Sequence, residues 1–207
     1  MKVLMINGSP HEKGCTYTAL SEVATSLEKR GIESEILWIG KGAIHGCSAC
    51  GSCKKTGVCI FTEDLVNKAS VKAKACDALV LGSPVYYASA NGAMVAFLDR
   101  LFRLISKHMA LKPGASVVSC RRGGASANFD QLNKYFTISQ MPVVSSTYWN
   151  SVHGNTPEEV AQDLEGMQVM RNLGSNLAWL LQCIEAGKAN GVGLPERETP
   201  IMTNFIR

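Results

Sequence analysis

The chain opens on an almost wholly apolar run, Lys2 to Ile6, the pattern of a strand buried on both faces. Asn7 to Tyr17 breaks the run with small and polar residues and reads as a turn-rich loop. From Thr18 to Arg30 apolar residues return at Leu20, Val23, Ala24 and Leu27, the three-and-four spacing of a helix. Gly31 ends it, where a left-handed residue fits cheaply. Glu33 to Ile39 is a second strand, and a strand–helix–strand unit of this length predicts a parallel sheet.

The segment Gly46 to Cys59 interrupts that rhythm. Thr62, followed by Glu63 and Asp64, reads as an N-cap with acidic residues in the first turn of a helix running to about Ala75. Ala78 to Gly82 is a buried third strand ending at Ser83-Pro84. Gly92 to Lys107 is helical, with Met94, Phe97, Leu98, Leu101 and Ile105 on one stripe. Ser116 to Ser119 is a fourth strand, Gln131 to Phe136 a shorter helix, and Pro142 to Thr147 a fifth strand. Pro157 to Ala186 is a long final helix that Gly166 and Gly174 bend or split. This succession predicts one doubly wound, three-layer α/β domain over residues 1–187, with a five-stranded parallel sheet and a cysteine-rich insertion at 46–62. Lys188 to Arg207, ending in Thr-Asn-Phe-Ile-Arg, has no core of its own and reads equally as a frayed terminus or an arm that docks on a partner subunit.

At 207 residues one shared core is expected, and 46% hydrophobic against 18% charged residues excludes a disordered or fibrous chain. No apolar run approaches the ~20 residues of a membrane span. The apolar start is too short for a signal peptide, so a cytoplasmic protein without a membrane partner is expected. The net charge of +4 is mild and scattered, which argues against a nucleic-acid partner and against a strongly acidic electron shuttle. Four of the eight cysteines fall between positions 47 and 59, a clustering that points to metal or redox chemistry.

Open parallel sheets bind ligands beyond the carboxyl ends of their strands, where strand order reverses. Three such ends are chemically unusual. Asn7 to Thr18 puts small residues and the hydroxyls of Ser9, Thr16 and Thr18 between a strand and a helix start, a site for an anion. It has neither the dinucleotide fingerprint nor the Gly-Lys-Ser/Thr of a nucleotide triphosphatase, so a monoester phosphate suits it better than a pyrophosphate. Gly82 to Gly92 carries Tyr86 and Tyr87, flat faces for an aromatic ligand. Ser119 to Ser126 carries Arg121 and Arg122 beside Gly123 and Gly124, donors for an anionic or carbonyl-bearing ring.

Gly8-Ser9-Pro10, Pro84-Val85-Tyr86 and Phe97-Leu98-Asp99-Arg100 resemble the NADPH-dependent FMN reductases of the flavodoxin-like fold. Cys47, Cys50, Cys53 and Cys59, followed by Glu63-Asp64, resemble the compact motif of the iron-sulfur flavoproteins. The resemblance spans about residues 1 to 185. It implies a flavodoxin-like fold holding FMN, with the phosphate at Ser9, His11, Cys15, Thr16 and Tyr17. Pro84, Val85, Tyr86 and Tyr87 would then border the flavin, and Ser119 to Gly124 would meet its polar edge. His11 stands where the family often has Arg, and Cys15 where it often has Asn or Ser, which shifts phosphate binding toward backbone amides and hydroxyls. Four cysteines with two, two and five residues between them admit a [4Fe–4S] cluster, reduced thiols or zinc, in that order of preference. Cys76 and Cys183 read as packing residues. His45, His108 and His153 have no partner in sequence that suggests a metal site, and Trp149 covers either the flavin or the core.

The expected function is therefore an FMN-dependent oxidoreductase that takes NAD(P)H as co-substrate and passes electrons to a small-molecule or protein acceptor. The flavin carries the chemistry, and no catalytic side chain is required. A homodimer or homotetramer is expected, because a cluster loop on one subunit can approach a neighbour's flavin. The rival readings are an FMN electron carrier without its own NAD(P)H turnover, a quinone or azo-dye reductase, and a zinc-stabilised interaction protein without flavin.

Overall fold

The computed structural model describes residues 1–203 and Phe205. Of the tail expected to fray or dock, residues up to 203 are exposed, and Asn204, Ile206 and Arg207 lie outside the described residues. In chain order the elements are β1 (Lys2–Asn7), α1 (Cys15–Glu28), β2 (Glu33–Trp38), α2 (Ser52–Thr56), α3 (Val66–Ala75) and β3 (Ala78–Tyr86). There follow β4 (Ser89–Ala90), α4 (Gly92–Met109), β5 (Gly114–Cys120), α5 (Ala125–Ile138), β6 (Ser151–His153), α6 (Pro157–Gln162) and α7 (Leu164–Ala189).

The parallel strands lie in the order β2-β1-β3-β5-β6, with the short β4 turned back antiparallel on β3. This is the flavodoxin-like succession, whose order reverses between β1 and β3. The apolar strands bury both faces. Val3 and Met5 of β1 face α1 and α7, whereas Leu4 and Ile6 face α3, α4 and α5. That two-sided burial is why the first strand reads as a continuous apolar run.

Several boundaries differ from the pattern-based expectation, each for a visible reason. Helix α1 begins at Cys15 rather than Thr18, so Cys15, Thr16 and Tyr17 form its first turn instead of the preceding loop. Thr62 is not a cap, because α3 starts at Val66 after Leu65 and Asp64 turns instead toward Arg100. Pro84, Val85 and Tyr86 lie in β3, whose extra residues pair with β4 rather than forming a loop. The helix expected at Gln131 begins at Ala125.

Pro142 to Thr147 is not the fifth strand. Parallel pairing starts with a single Gly114–Val143 bridge, breaks, and resumes four residues out of phase at Val118–Ser151. Across the break the buried Asn150 substitutes a side-chain bond for the ladder, donating from Nδ2 to the Ser116 carbonyl at 3.0 Å. The long last helix is interrupted at Asp163, which accepts the Gly166 N–H at 2.9 Å and so caps α7.

Gly174 does not split α7, which runs unbroken through it, but it lets α7 and α1 touch. A Cβ there would stand 2.6 Å from the Ser26 Cβ and 2.8 Å from the Val23 carbonyl oxygen. Alanine in a helix interior is favoured over glycine by about 1 kcal/mol, but overpacking against a backbone oxygen costs about 1–3 kcal/mol. Gly174→Ala is therefore expected to be destabilising, with Tm falling by about 2–4 °C per kcal/mol. A thermal melt with a raised Tm would contradict this close approach of α7 and α1.

Candidate functional site

The carboxyl end of β1 is shaped by polar side chains turned onto the loop's own backbone. Asn7, fully buried, accepts the Ser9 N–H at 3.1 Å and donates to the Glu12 carbonyl at 2.9 Å. The Ser9 hydroxyl accepts the His11 N–H at 3.1 Å, and Trp38, at the end of β2, donates its indole N–H to the Ser9 carbonyl at 2.8 Å. These bonds hold the loop in one shape before any ligand arrives. Helix α1 then starts at Cys15 behind Gly14, which offers no side-chain cap, so the N–H groups of its first turn have no side-chain acceptor within the helix start.

The second and third loops are held against each other. Tyr87 and Ala88 both take left-handed backbone angles, φ 51° and 58°, in the tight turn between β3 and β4. Gly124, at φ 88°, precedes α5 so closely that a Cβ would fall 2.8 Å from the Ala88 Cα. Asn128 donates to the Pro84 carbonyl at 3.1 Å, closing the contact from α5. Tyr86 and Tyr87 stay exposed, with Tyr87 wholly in solvent, so neither packs on a neighbouring helix.

A third tie joins the first loop to the last. Thr16 and Ser119, both buried, share a hydroxyl–hydroxyl bond of 2.8 Å. The structure thus brings Thr16 and Ser119 together, and Val85 with Gly124. It also assigns the Thr16 and Ser119 side chains to a structural clasp, with Thr16 fully buried. Thr18 bonds back to the Gly14 carbonyl at 3.3 Å, Tyr17 is half-buried beside it, and Arg121, Arg122 and Gly123 project into solvent.

Beside the α1 terminus lies a concavity of about 530 Å³, lined by His11, Lys13, Cys15, Trp38, Lys41 and Asn155 among others. Trp38, Lys41 and Asn155 were missed in the sequence. The first two lie at the end of the neighbouring strand, and Asn155 lies after the broken edge strand, so only the fold brings them here. Burial, with the Glu159 and Glu158 carboxylates behind it, raises the Cys15 thiol above its ordinary value, so Cys15 enters this site as a neutral group.

The cysteine segment forms a second, separate site on the α3–α4 side of the sheet. Cys47, Cys50, Cys53 and Cys59 line one concavity together with Ile60, Phe61, Arg100 and Arg103. Left-handed residues at Ala49, Gly51 and Gly57 wind the loop around the short α2, and all four cysteines lie along the rim of that space. Its enclosed part is only about 20 Å³. Among the described residues no three His, Cys, Asp or Glu side chains converge closely enough to hold one metal ion. Four cysteine thiols on one loop match a four-iron cluster in number and chemistry, and the same donor set is chemically open to zinc. His45 is not a ligand here, because its ring stacks on Phe61 at 3.7 Å between centroids.

The family profile described as NADPH-dependent FMN reductase matches residues 1–156. An iron-sulfur flavoprotein of Methanocaldococcus jannaschii is 30% identical, over 89% of this chain and the full length of the relative. Another, from Methanosarcina thermophila, is 26% identical over 91% of this chain and 99% of its own. Among solved structures, RosB with a bound flavin-derived intermediate superposes with a TM-score of 0.70 at 16% identity, covering 100% of this chain and 94% of that one. An NAD(P)H:quinone oxidoreductase from Methanothermobacter marburgensis gives 0.64 at 14% identity, covering 86% and 96%. At such identities the two structures speak for the fold alone.

The Ser52 N–H, helped by the Ser48 hydroxyl and Arg103, holds the exposed Cys50 thiol below the ordinary thiol value. Burial raises Cys76 and Cys120 instead. A lowered value keeps the thiolate present to lower pH, and the thiolate is the nucleophile. In the metal-free chain, iodoacetamide is therefore expected to modify Cys50 at a lower pH than Cys76 or Cys120, and Cys50→Ser to remove that component. Identical pH–rate profiles at all three would contradict the local geometry.

Proposed function

The chain belongs to the NADPH-dependent FMN reductase family, and from that premise we propose that it is an FMN-dependent NAD(P)H oxidoreductase whose four-cysteine loop carries a [4Fe–4S] cluster. Oxidoreductase chemistry and FMN are the family's. The NAD(P)H dependence, the cluster and the residues assigned below are our reading.

The observation that carries the flavin assignment is the convergence of three tied loops on the uncapped start of α1. In this reading the first-turn amides from Cys15 to Tyr17 and the exposed loop around His11 receive the phosphate, with the helix dipole favouring its charge. Lys13 and Lys41 add positive potential at the same concavity. Val85, Tyr86 and Tyr87 border the ring, and Gly123 and Gly124, with the exposed arginines beside them, meet its polar edge. Bound FMN would supply hydride acceptance from NAD(P)H and onward release of electrons. The protein's residues fix the ring's position and leave one face open, and none is required as a general acid or nucleophile.

The cluster reading rests on the four thiols around one space and on the relatives being iron-sulfur flavoproteins. A cluster would add one-electron exchange with an outside partner. The two concavities share no lining residue, which favours an assembly in which one subunit's cysteine loop serves a neighbour's flavin, as a homodimer or homotetramer. No helix is long and apolar enough to cross a membrane among the described residues.

Anaerobic purification, followed by a visible spectrum, iron and zinc quantification and NAD(P)H oxidation with a dye acceptor, tests the proposal. Flavin bands, about four irons per chain and NAD(P)H-driven dye reduction are expected. A preparation that stays colourless after FMN addition would overturn the flavin reading. Flavin without iron would overturn the cluster, and flavin without NAD(P)H oxidation would leave an electron carrier.

A further inference from the structure

Arg100 is the least expected charge in the protein. It sits on α4 between Phe97 and Leu101, both fully buried, and its own side chain is 1% exposed. All five guanidinium N–H groups have acceptors. Nε donates to the Cys59 sulfur at 3.2 Å, and one terminal nitrogen donates to the His45 carbonyl at 3.2 Å and to the Asp64 carboxylate. The other donates to the Phe61 carbonyl at 2.8 Å and to Asp64 Oδ1 at 3.2 Å. The Phe61 ring lies under the guanidinium, 5.2 Å from centroid to carbon, and His45 stacks on Phe61 in turn.

One buried cation therefore grips the cysteine loop at positions 45, 59, 61 and 64, in a segment whose only helix is the five-residue α2. Cys59 is held twice. Asn67 accepts its N–H at 2.8 Å and donates to its carbonyl at 3.0 Å, while Arg100 holds its sulfur. Cys47 and Cys50, by contrast, are exposed. Asp64 balances the buried charge, which would otherwise be prohibitively desolvated.

We propose that Arg100 is the positioning residue of the cysteine loop, fixing Cys59 as its immobile corner and raising the reduction potential of the iron-sulfur group bound there. This rests on the cluster reading above. When the group takes up one electron from an electrode or mediator, no bond to the loop breaks and one negative charge is added. A guanidinium hydrogen-bonded to a ligating sulfur stabilises that added charge, and hydrogen bonds to the sulfurs are a recognised determinant of cluster potential. Asp64 works in the opposite direction by offsetting the cation.

The test is a mediated spectroelectrochemical titration, with iron content per chain, on the anaerobically reconstituted full chain and its Asp64→Asn and Arg100→Gln variants. Asp64→Asn uncovers the Arg100 charge and is expected to shift the one-electron equilibrium about tenfold toward the reduced form, about 59 mV upward. Arg100→Gln is expected to shift it about tenfold the other way and to lower the iron content. A loop that is merely loosened has no reason to move the potential in opposite directions. Shifts of the same sign, or none, in iron-loaded variants overturn the role of Arg100. If Arg100→Gln fails to fold, a zero or downward shift in Asp64→Asn overturns it alone. Wild-type protein that takes up no iron overturns the cluster reading itself, and the tuning role with it.

Discussion

Two close approaches at the reversal of strand order govern the functional edge. The Gly8 N–H donates to the Gly82 carbonyl at 2.8 Å, joining the ends of β1 and β3. A Cβ on Gly8 would fall 2.6 Å from the Met94 sulfur of α4, and one on Gly82 would fall 2.8 Å from Leu20 of α1. The absence of side chains at these two positions lets helices on opposite faces close onto the strand ends. With α1 seated that deeply, Thr16 reaches Ser119 on β5, and the loops after all three strands become one surface. The geometry that presents amides to an anion thus follows from packing in the core beneath it.

The cysteine loop is built on a different principle. The first loop is held by Asn7 and Trp38, and the hairpin by Gly124 and Asn128, all short links to backbone. The cysteine segment has almost no regular structure and is held chiefly by a buried guanidinium and its carboxylate, with Asn67 bonded to the Cys59 backbone beside them. Breaking such a pair by removing one partner typically costs about 3–5 kcal/mol, because the other charge is left buried and alone. The carboxyl-edge loops depend on small residues and backbone links, whereas the cysteine loop depends on a buried ion pair. The two sites can vary independently in one fold.

What was legible in the chain follows from where the physics is local. The run Lys2 to Ile6 and the stripe from Met94 to Ile105 report burial by neighbours in sequence, and both became the elements expected. Pro142 to Thr147 misled because its apolar residues are real but its ladder is broken, and the residue that bridges the break, Asn150, is polar and looks like a turn. Thr62 looked like a cap because Glu63 and Asp64 follow it, yet Asp64 answers a cation thirty-six positions away. The candidate loops were visible from Gly, Ser, Tyr and Arg at strand ends. That Thr16 and Ser119 spend their hydroxyls on each other, and that Trp38 and Lys41 join the site, depends on the register of strands the sequence does not print.

The central claim is that FMN sits on the carboxyl-edge loops and not within its own subunit's cysteine loop. Hydrogen–deuterium exchange of the flavin-stripped chain, with and without added FMN, tests it most directly. The account predicts slowed exchange in residues 8–18, 84–92 and 119–128, with the largest effect there rather than in 46–64. Protection confined to 46–64, or absent from all three loops, would contradict it.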